Sequence, residues 1–235
     1  MNKIIYYKNM KSIIDYINEH IVNATNEENI RDVVAKYGDK IFDIINYGYR
    51  DIGGCAGISN KNDIIKRADF IKLYRKNDEI VAVALYADKK HPNAGVDIYF
   101  NDKSQNRGRK IVAVAASEGN SEYLKKILKE DFKLTNRNVW GEFSSKAATF
   151  ALRCGALPIP VDEAEKIMSP KKFYVKKEDG YFYTRDIKGT LHTKIMMGNH
   201  AMVEHNFDSL SAEEIEKFKH LAIKYESQDK ELYHI

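Results

Sequence analysis

Apolar and polar positions along the chain change period several times, and each change marks an element. Ile13, Ile14, Ile17 and Ile21 fall on one helical face, and Ile30, Val33, Val34, Tyr37, Ile41, Ile44 and Ile45 share another. Apolar residues three and four apart form one stripe on an α-helix, so two amphipathic helices are predicted to open the chain. Thr25 and Glu28 stand in the T-x-x-E spacing of a capping box, which predicts where the second helix starts. The stretch 47–59, YGYRDIGGCAGIS, holds Gly48, Gly53, Gly54 and Gly57. Glycine at that density breaks a helix, so the stretch reads as a loop, either a plain connector or one that comes close to a ligand.

Beyond it the period becomes that of strands. ADFIKLYRK (68–76) and EIVAVALYAD (79–88) flank Asn77 and Asp78 and predict an antiparallel hairpin. A short strand is predicted over 96–100. Residues 109–156 then read strand (RKIVAVAAS), turn (EGN), helix (SEYLKKILKEDF), strand (NVWGEFS) and helix (SKAATFALRCGA). That order builds one right-handed βαβ unit with a further helix behind it. The turn after its first strand brings free backbone N–H groups to a helix N-terminus, where an anion is favoured.

LPIP (157–160) reads as extended, and Asp162 caps a predicted short helix. Strands are predicted over 171–177, 180–187 and 189–198, with Gly189 turning between the last two. Ser211 and Glu214 form another capping box, ahead of a stripe of Ile215, Phe218, Leu221 and Tyr225. The stretch 199–210 reads as a linker. The predicted fold class is α/β: a mixed antiparallel and parallel sheet flanked by helices, with helical extensions at both ends. One domain is expected over 1–198, with a linker and amphipathic helix over 199–235.

Composition changes this picture little. At 235 residues, 43% hydrophobic and 31% charged, the chain can bury a sizeable core. A net charge of +4 is too small to argue for nucleic acid by itself. Cys55 and Cys154 stand in no metal-ligand or redox spacing, so reduced thiols and a cytoplasmic location are expected. No signal peptide is expected in MNKIIYYKNMKSII, and no window is apolar enough to predict a membrane span. Five of the seven histidines, at 192, 200, 205, 220 and 234, lie near the C-terminus without a metal-binding spacing, so no metal is expected.

The segment WGEFSSKAATFALRCGALPIP (140–160), set in that order of elements, resembles the Gcn5-related N-acetyltransferase (GNAT) superfamily over about residues 68–187. In that family a strand ends near an Asn, and a helix follows with an Ala, a Tyr and a Gly-Phe-like end. Here Ser144 stands at the Asn, Ala147 at the Ala and Gly155–Ala156 at the Gly-Phe. Ala151 stands at the Tyr, which in many members reprotonates the coenzyme A thiolate; this chain lacks that acid. The family's other landmark, Q/R-x-x-G-x-G/A, holds the coenzyme A pyrophosphate on backbone amides. Two registers approximate it: Gln105 to Lys110, and Ser117-Glu118-Gly119-Asn120-Ser121 at the end of the 109–117 strand. The second is favoured, because IVAVAASEGN after Lys110 is β-branched, contains Gly119 and starts a helix poorly.

The resemblance implies acetyl transfer from acetyl-coenzyme A to an amine by direct attack. The acceptor would be a small-molecule or protein amine, and a homodimer is left open. The implied cofactor contacts are the strand backbone at Val114, Ala115 and Ala116, then Ser117, Gly119, Asn120 and Ser121 at the pyrophosphate. Lys146 and Arg153 would lie near the 3′-phosphate. The plainer reading makes Asn120 or Ser121 an ordinary helix cap and leaves Lys146 and Arg153 as solvated surface.

Three residues are candidates for the chemistry. Strand alternation sets Glu142 on one face with Trp140 and Ser144, and a carboxylate there can take a proton from an amine. The plainer reading pairs Glu142 with a nearby Lys or Arg. Ser144 is a candidate at the Asn position. Tyr181, Tyr183 and Arg185 alternate along one predicted strand, with His192 and Lys194 on the next, so one face is expected to gather them. That face would suit an acidic or aromatic substrate, and Tyr183 would supply the acid missing at Ala151; a solvated edge hairpin is the plainer reading.

Two further function classes stand beside the acyltransferase. A non-catalytic GNAT-like binding or host-interaction module, of a phage type, is suggested by Ala151 and by Lys110 in the QxxG stretch. An enzyme acting on nucleic acid is suggested by Lys103, Arg107, Arg109 and Lys110.

Overall fold

The apolar stripe of the second predicted helix forms α1 (Ile30–Gly48), with Ile30, Val33, Val34, Ile41, Ile44 and Ile45 buried. Fully burying one such side chain contributes about 1.5–3 kcal/mol. The computed structural model describes residues 28–50, 55, 57–88, 109–134, 137–159, 174–176, 182–185, 191–206, 211–217 and 220. The helix expected over Ile13–Ile21, the strand over 96–100 and the helix after Asp162 lie outside them. The capping box expected at Thr25 and Glu28 is corrected. Glu28 belongs to a short strand, β1 (Glu28–Asn29), whose backbone pairs with Ile71. Sheet pairing claims the residue that the helix would have used.

Helix α2 (Lys61–Arg67), absent from the sequence reading, follows. Its start is made by polar side chains: Asn60 accepts the Asn62 N–H at 2.9 Å, and Asp63 accepts from the Ser59 N–H and hydroxyl. Next come β2 (Phe70–Lys76) and β3 (Glu79–Asp88), the expected hairpin. Asn77 and Asp78 both adopt positive φ, at 50° and 65°, which matches a two-residue turn to the twist of its strands.

Strand β4 (Arg109–Ala116) lies antiparallel to β3 and is followed by α3 (Ser121–Phe132). Strand β5 (Val139–Phe143) returns parallel to β4 and leads into α4 (Ser145–Arg153). Then come β6 (Leu157–Pro158), β7 (Tyr174–Lys176), β8 (Phe182–Arg185) and β9 (Leu191–Gly198). The sheet order is β1-β2-β3-β4-β5-β9-β8-β7, with β6 beside β9. The fold is thus α/β, a mixed sheet with one described parallel pair, flanked by helices.

Strand β3 is buried from Ile80 to Ala87, as its near-continuous apolar run requires of a strand covered on both faces. On one face, α1 and α2 pack on Ile71, Leu73, Val83, Leu85, Ala113 and Ala115. On the other, Ile127, Leu128 and Phe132 of α3 and Ala148 and Ala151 of α4 pack on Tyr74, Tyr86, Ile111, Val139 and Phe143.

The expected linker over 199–210 is also corrected, because helix α5 (His200–Asn206) occupies its first half with Ala201, Met202 and Val203 buried. Asn199, fully buried, ties this helix down. Its side chain accepts from the Val139 N–H (3.1 Å) and Met202 N–H (2.9 Å) and donates to the carbonyls of Leu134 (2.8 Å) and Arg137 (2.7 Å). The capping box at Ser211 and Glu214 forms as expected: the Glu214 carboxylate accepts the Ser211 N–H, and the Ser211 hydroxyl accepts the Glu214 N–H.

Candidate functional site

The β4–β5 pair is short because β4 carries a bulge. Tyr86 of β3 faces Ile111 and Leu85 faces Ala113, so Val112 is the extra residue. A bulge bends its strand and increases the local twist. The parallel pairing accordingly ends at Ile111 opposite Gly141, and the two strands part beyond it. A cleft of about 420 Å³ opens in the gap, lined among others by Tyr49, Val114, Glu142, Ser144, Phe150 and Arg153.

The edge of β4 that faces the gap has no β5 ladder partner beyond Ile111. Ser117 N–H donates to the Val81 carbonyl, so alternation turns the Ala116 and Val114 N–H groups away from β3 and toward β5. The Val114 N–H donates to the phenol oxygen of Tyr49 at 3.2 Å. Burial pushes that phenol above the ordinary tyrosine range, with Cys55 adding in the same direction. Tyr49 reaches the gap because it follows the last turn of α1, where Gly48 lets the helix end press on Ala115.

Glu142 lines the cleft and forms an ion pair with Lys110, Oε1 to Nζ 2.6 Å, with both side chains about four-fifths buried. The Lys110 ammonium also lies 5.0 Å from the centre of the Trp140 ring. The plainer reading of Glu142, a partner of a nearby lysine, is the one the contacts show, and the pair sits where the strands part. Ser144 lines the cleft too, but its hydroxyl caps α4 by accepting the Ala147 N–H at 3.4 Å.

The turn from β4 into α3 has a simple cause. Asn120 N–H donates to the Ser117 carbonyl at 3.1 Å, closing a β-turn with Gly119 third in it at φ 73°. Only glycine takes that angle without strain. Asn120 sits at the helix cap without capping it; its amide donates instead to the Ser117 hydroxyl and the Glu118 carbonyl.

Of the expected site residues, Val114, Ser121, Glu142 and Ser144 come together in the cleft, and Ser117, Gly119 and Asn120 form the adjoining turn. Ala115 is buried on the opposite face, against α1. Ala116 ends β4 beside the turn, partly buried against the α3 side. Lys146 lies in α4 and Tyr183 in β8, but their side chains are outside the described residues. The face expected to gather Tyr183, Arg185, His192 and Lys194 is corrected by the register. Tyr183 pairs with Thr193 and Thr184 with His192, which sets His192 and Lys194 on the other side of the ladder from Tyr183 and Arg185.

Two members of the basic cluster are corrected as well. Arg109 is 5% exposed, stacked 4.4 Å from the Phe70 ring centre and 5.6 Å from that of Tyr86, and Lys110 is held by Glu142. Neither offers an open basic surface, and Lys103 and Arg107 lie outside the described residues. Cys154 is a buried helix-end residue whose thiol is pushed up by burial. No group of His, Cys, Asp and Glu among the described residues suits a metal ion, and no described helix is long and apolar enough to cross a membrane.

Tyr49, Thr149 and Phe150 line the cleft without having been read from sequence. Tyr49 had one local signal, a tyrosine directly after the first glycine of a Gly-rich stretch at a helix end. No protein-family model matches the chain, and no curated protein is significantly similar to it.

Proposed function

We propose that the chain is a GNAT-fold acyltransferase that moves an acetyl group from acetyl-coenzyme A to an amine. The observation that carries the reading is the wedge between β4 and β5. Strand pairing stops at Ile111 and Gly141, amides of β4 face the gap, and one carboxylate, Glu142, lines it. An extended pantetheine arm suits an unpaired strand edge, because its amides can replace the missing ladder partner. The turn 117–120 and the N-terminus of α3 lie at the end of that edge, where oriented N–H groups favour a pyrophosphate.

In this reading a β4 amide polarises the thioester carbonyl, as an oxyanion-type donor. Glu142 takes the proton of the attacking amine. Its salt bridge to Lys110 aims the carboxylate and must yield a lone pair to the amine. Isothermal titration with acetyl-coenzyme A tests the reading: saturable binding is expected, and no heat at millimolar ligand would sink it.

A second reading, a non-catalytic binding module on the same fold, is favoured by Ala151. That buried methyl group supplies no proton where many family members have a tyrosine. Binding of acetyl-coenzyme A without turnover on any amine would select it.

A further inference from the structure

We infer that Tyr49, at the end of α1, is the proton donor to the departing thiolate, in place of the acid missing at Ala151. The inference rests on the acyltransferase reading of the cleft. Tyr49 is the one phenol and Glu142 the one carboxylate among the described residues that line it. The other hydroxyls there, Ser121, Ser144 and Thr149, are aliphatic alcohols and far weaker acids, and that of Ser144 already caps α4.

The hydrogen bond to Val114 gives the phenol its direction. Tyr49 Oη accepts from a backbone N–H, so its own proton remains to be donated. The same N–H stabilises the phenolate left after transfer. Burial keeps the phenol protonated in the resting cleft, and the Val114 hydrogen bond works against that shift, which eases release of the proton. Two titratable groups in one cleft thus have opposite tasks: a carboxylate beside a lysine takes a proton, and a partly buried phenol gives one.

The step balances. The amine lone pair forms the C–N bond, and the C–S bond breaks with its electron pair going to sulfur. Glu142 takes the N–H proton, and Tyr49 Oη–H gives its proton to the thiolate. Proton exchange through water then returns Glu142 to the carboxylate and Tyr49 to the phenol.

The test compares the full chain with Tyr49→Phe, using thiol release from acetyl-coenzyme A with water and a panel of primary amines as acceptors. The expected result is an unchanged dissociation constant for acetyl-coenzyme A and a kcat lower by about a hundredfold or more. A chain with 3,5-difluorotyrosine at position 49 keeps the side-chain shape with a more acidic phenol. It is expected to move the alkaline limb of the pH–rate profile to lower pH, and it carries the test if the Phe variant folds poorly. An unchanged kcat in the Phe variant, or an unmoved alkaline limb, overturns the role. Tighter binding at unchanged kcat overturns it in favour of a plug that competes for the Val114 amide. Wild-type binding without thiol release removes the acid and leaves a binding module. No binding by the wild type removes the cleft reading itself.

Discussion

Lys110 and Glu142 face each other across the parallel β4–β5 pair, 2.6 Å apart, just where the two strands begin to part. The ladder sets Lys110 beside Trp140, so Glu142 is the next residue of β5 on the same face. Strand alternation and the short parallel register together place a charged pair at the base of the cleft.

On the proposed acyltransferase reading, Glu142→Gln keeps the shape and an oxygen for Lys110 but removes the proton acceptor. Acetyl transfer is expected to fall by about 10²–10⁴-fold with the dissociation constant of acetyl-coenzyme A unchanged. Steady-state kinetics beside calorimetry read the two quantities separately. Equal loss of both would assign Glu142 to binding.

Asp131 is 1% exposed, pairs with Lys72 and accepts the Tyr86 hydroxyl at 2.6 Å, which fastens the end of α3 to β2 and β3. Asp131→Ala leaves the Lys72 ammonium largely buried without this counter-charge. The expected cost is about 3–5 kcal/mol, read as a lower urea midpoint at unchanged slope.

Asn199→Ala removes four hydrogen bonds to backbone groups of the α3–β5 connection, β5 and α5. Each buried group left without a partner costs about 1–3 kcal/mol. Hydrogen exchange should show early opening at Val139 and Met202, whose amides the side chain holds. Unchanged protection at both would refute this staple.

A Cβ at position 48 would meet the Cβ of Ala115 at 2.7 Å, so Gly48→Ala must push α1 and β4 apart. Alanine improves helix propensity by about 0.8–1.0 kcal/mol, against about 1–3 kcal/mol for overpacking. A net loss on the order of 1 kcal/mol is expected in thermal denaturation. A rise in Tm would show that the contact relaxes freely.

Burial pushes the phenols of Tyr86, Tyr74 and Tyr49 above their ordinary value of 10; Asp131 adds to the shift in Tyr86, and a hydrogen bond to Glu130 in Tyr74. The folded state therefore holds these protons more tightly than the unfolded chain. Their contribution is complete below pH 10 and is lost as pH rises above it toward the folded values. Denaturation measured from pH 8 to 11.5 should show stability falling in the upper part of that range. The fall should be shallower in Tyr86→Phe; an equal slope would assign it to other groups.

The local patterns of this chain were sufficient for its local elements. The strand, turn and helix of 109–132 need only a β-branched run, a glycine able to take positive φ and an amphipathic stripe. The hairpin over Phe70–Asp88 and the Ser211 capping box are equally short-range, and both form. Strand alternation carries far enough to set Glu142 and Ser144 on one face of their strand.

Helix α2 is missed by the sequence reading although its cap at Asn60 and Asp63 is local; the other misses depend on distant partners. Glu28 pairs with Ile71 of β2, and Asn199, besides capping α5 locally at Met202, ties 200–206 to Leu134, Arg137 and Val139, all partners dozens of residues away. The bulge at Val112 arises from the register between β3 and β4, which no window of one strand contains. Tyr49 enters the cleft because the whole of α1 packs across the sheet and a glycine lets its end come close. The sequence by itself determined the hairpin of 70–88 and the strand–helix–strand–helix run of 109–153, and which face of each helix there is apolar, because periodicity acts within a few residues. Only the tertiary structure decided how the strands register, where β4 and β5 part, and which side chains meet there, because those contacts join residues far apart in the chain.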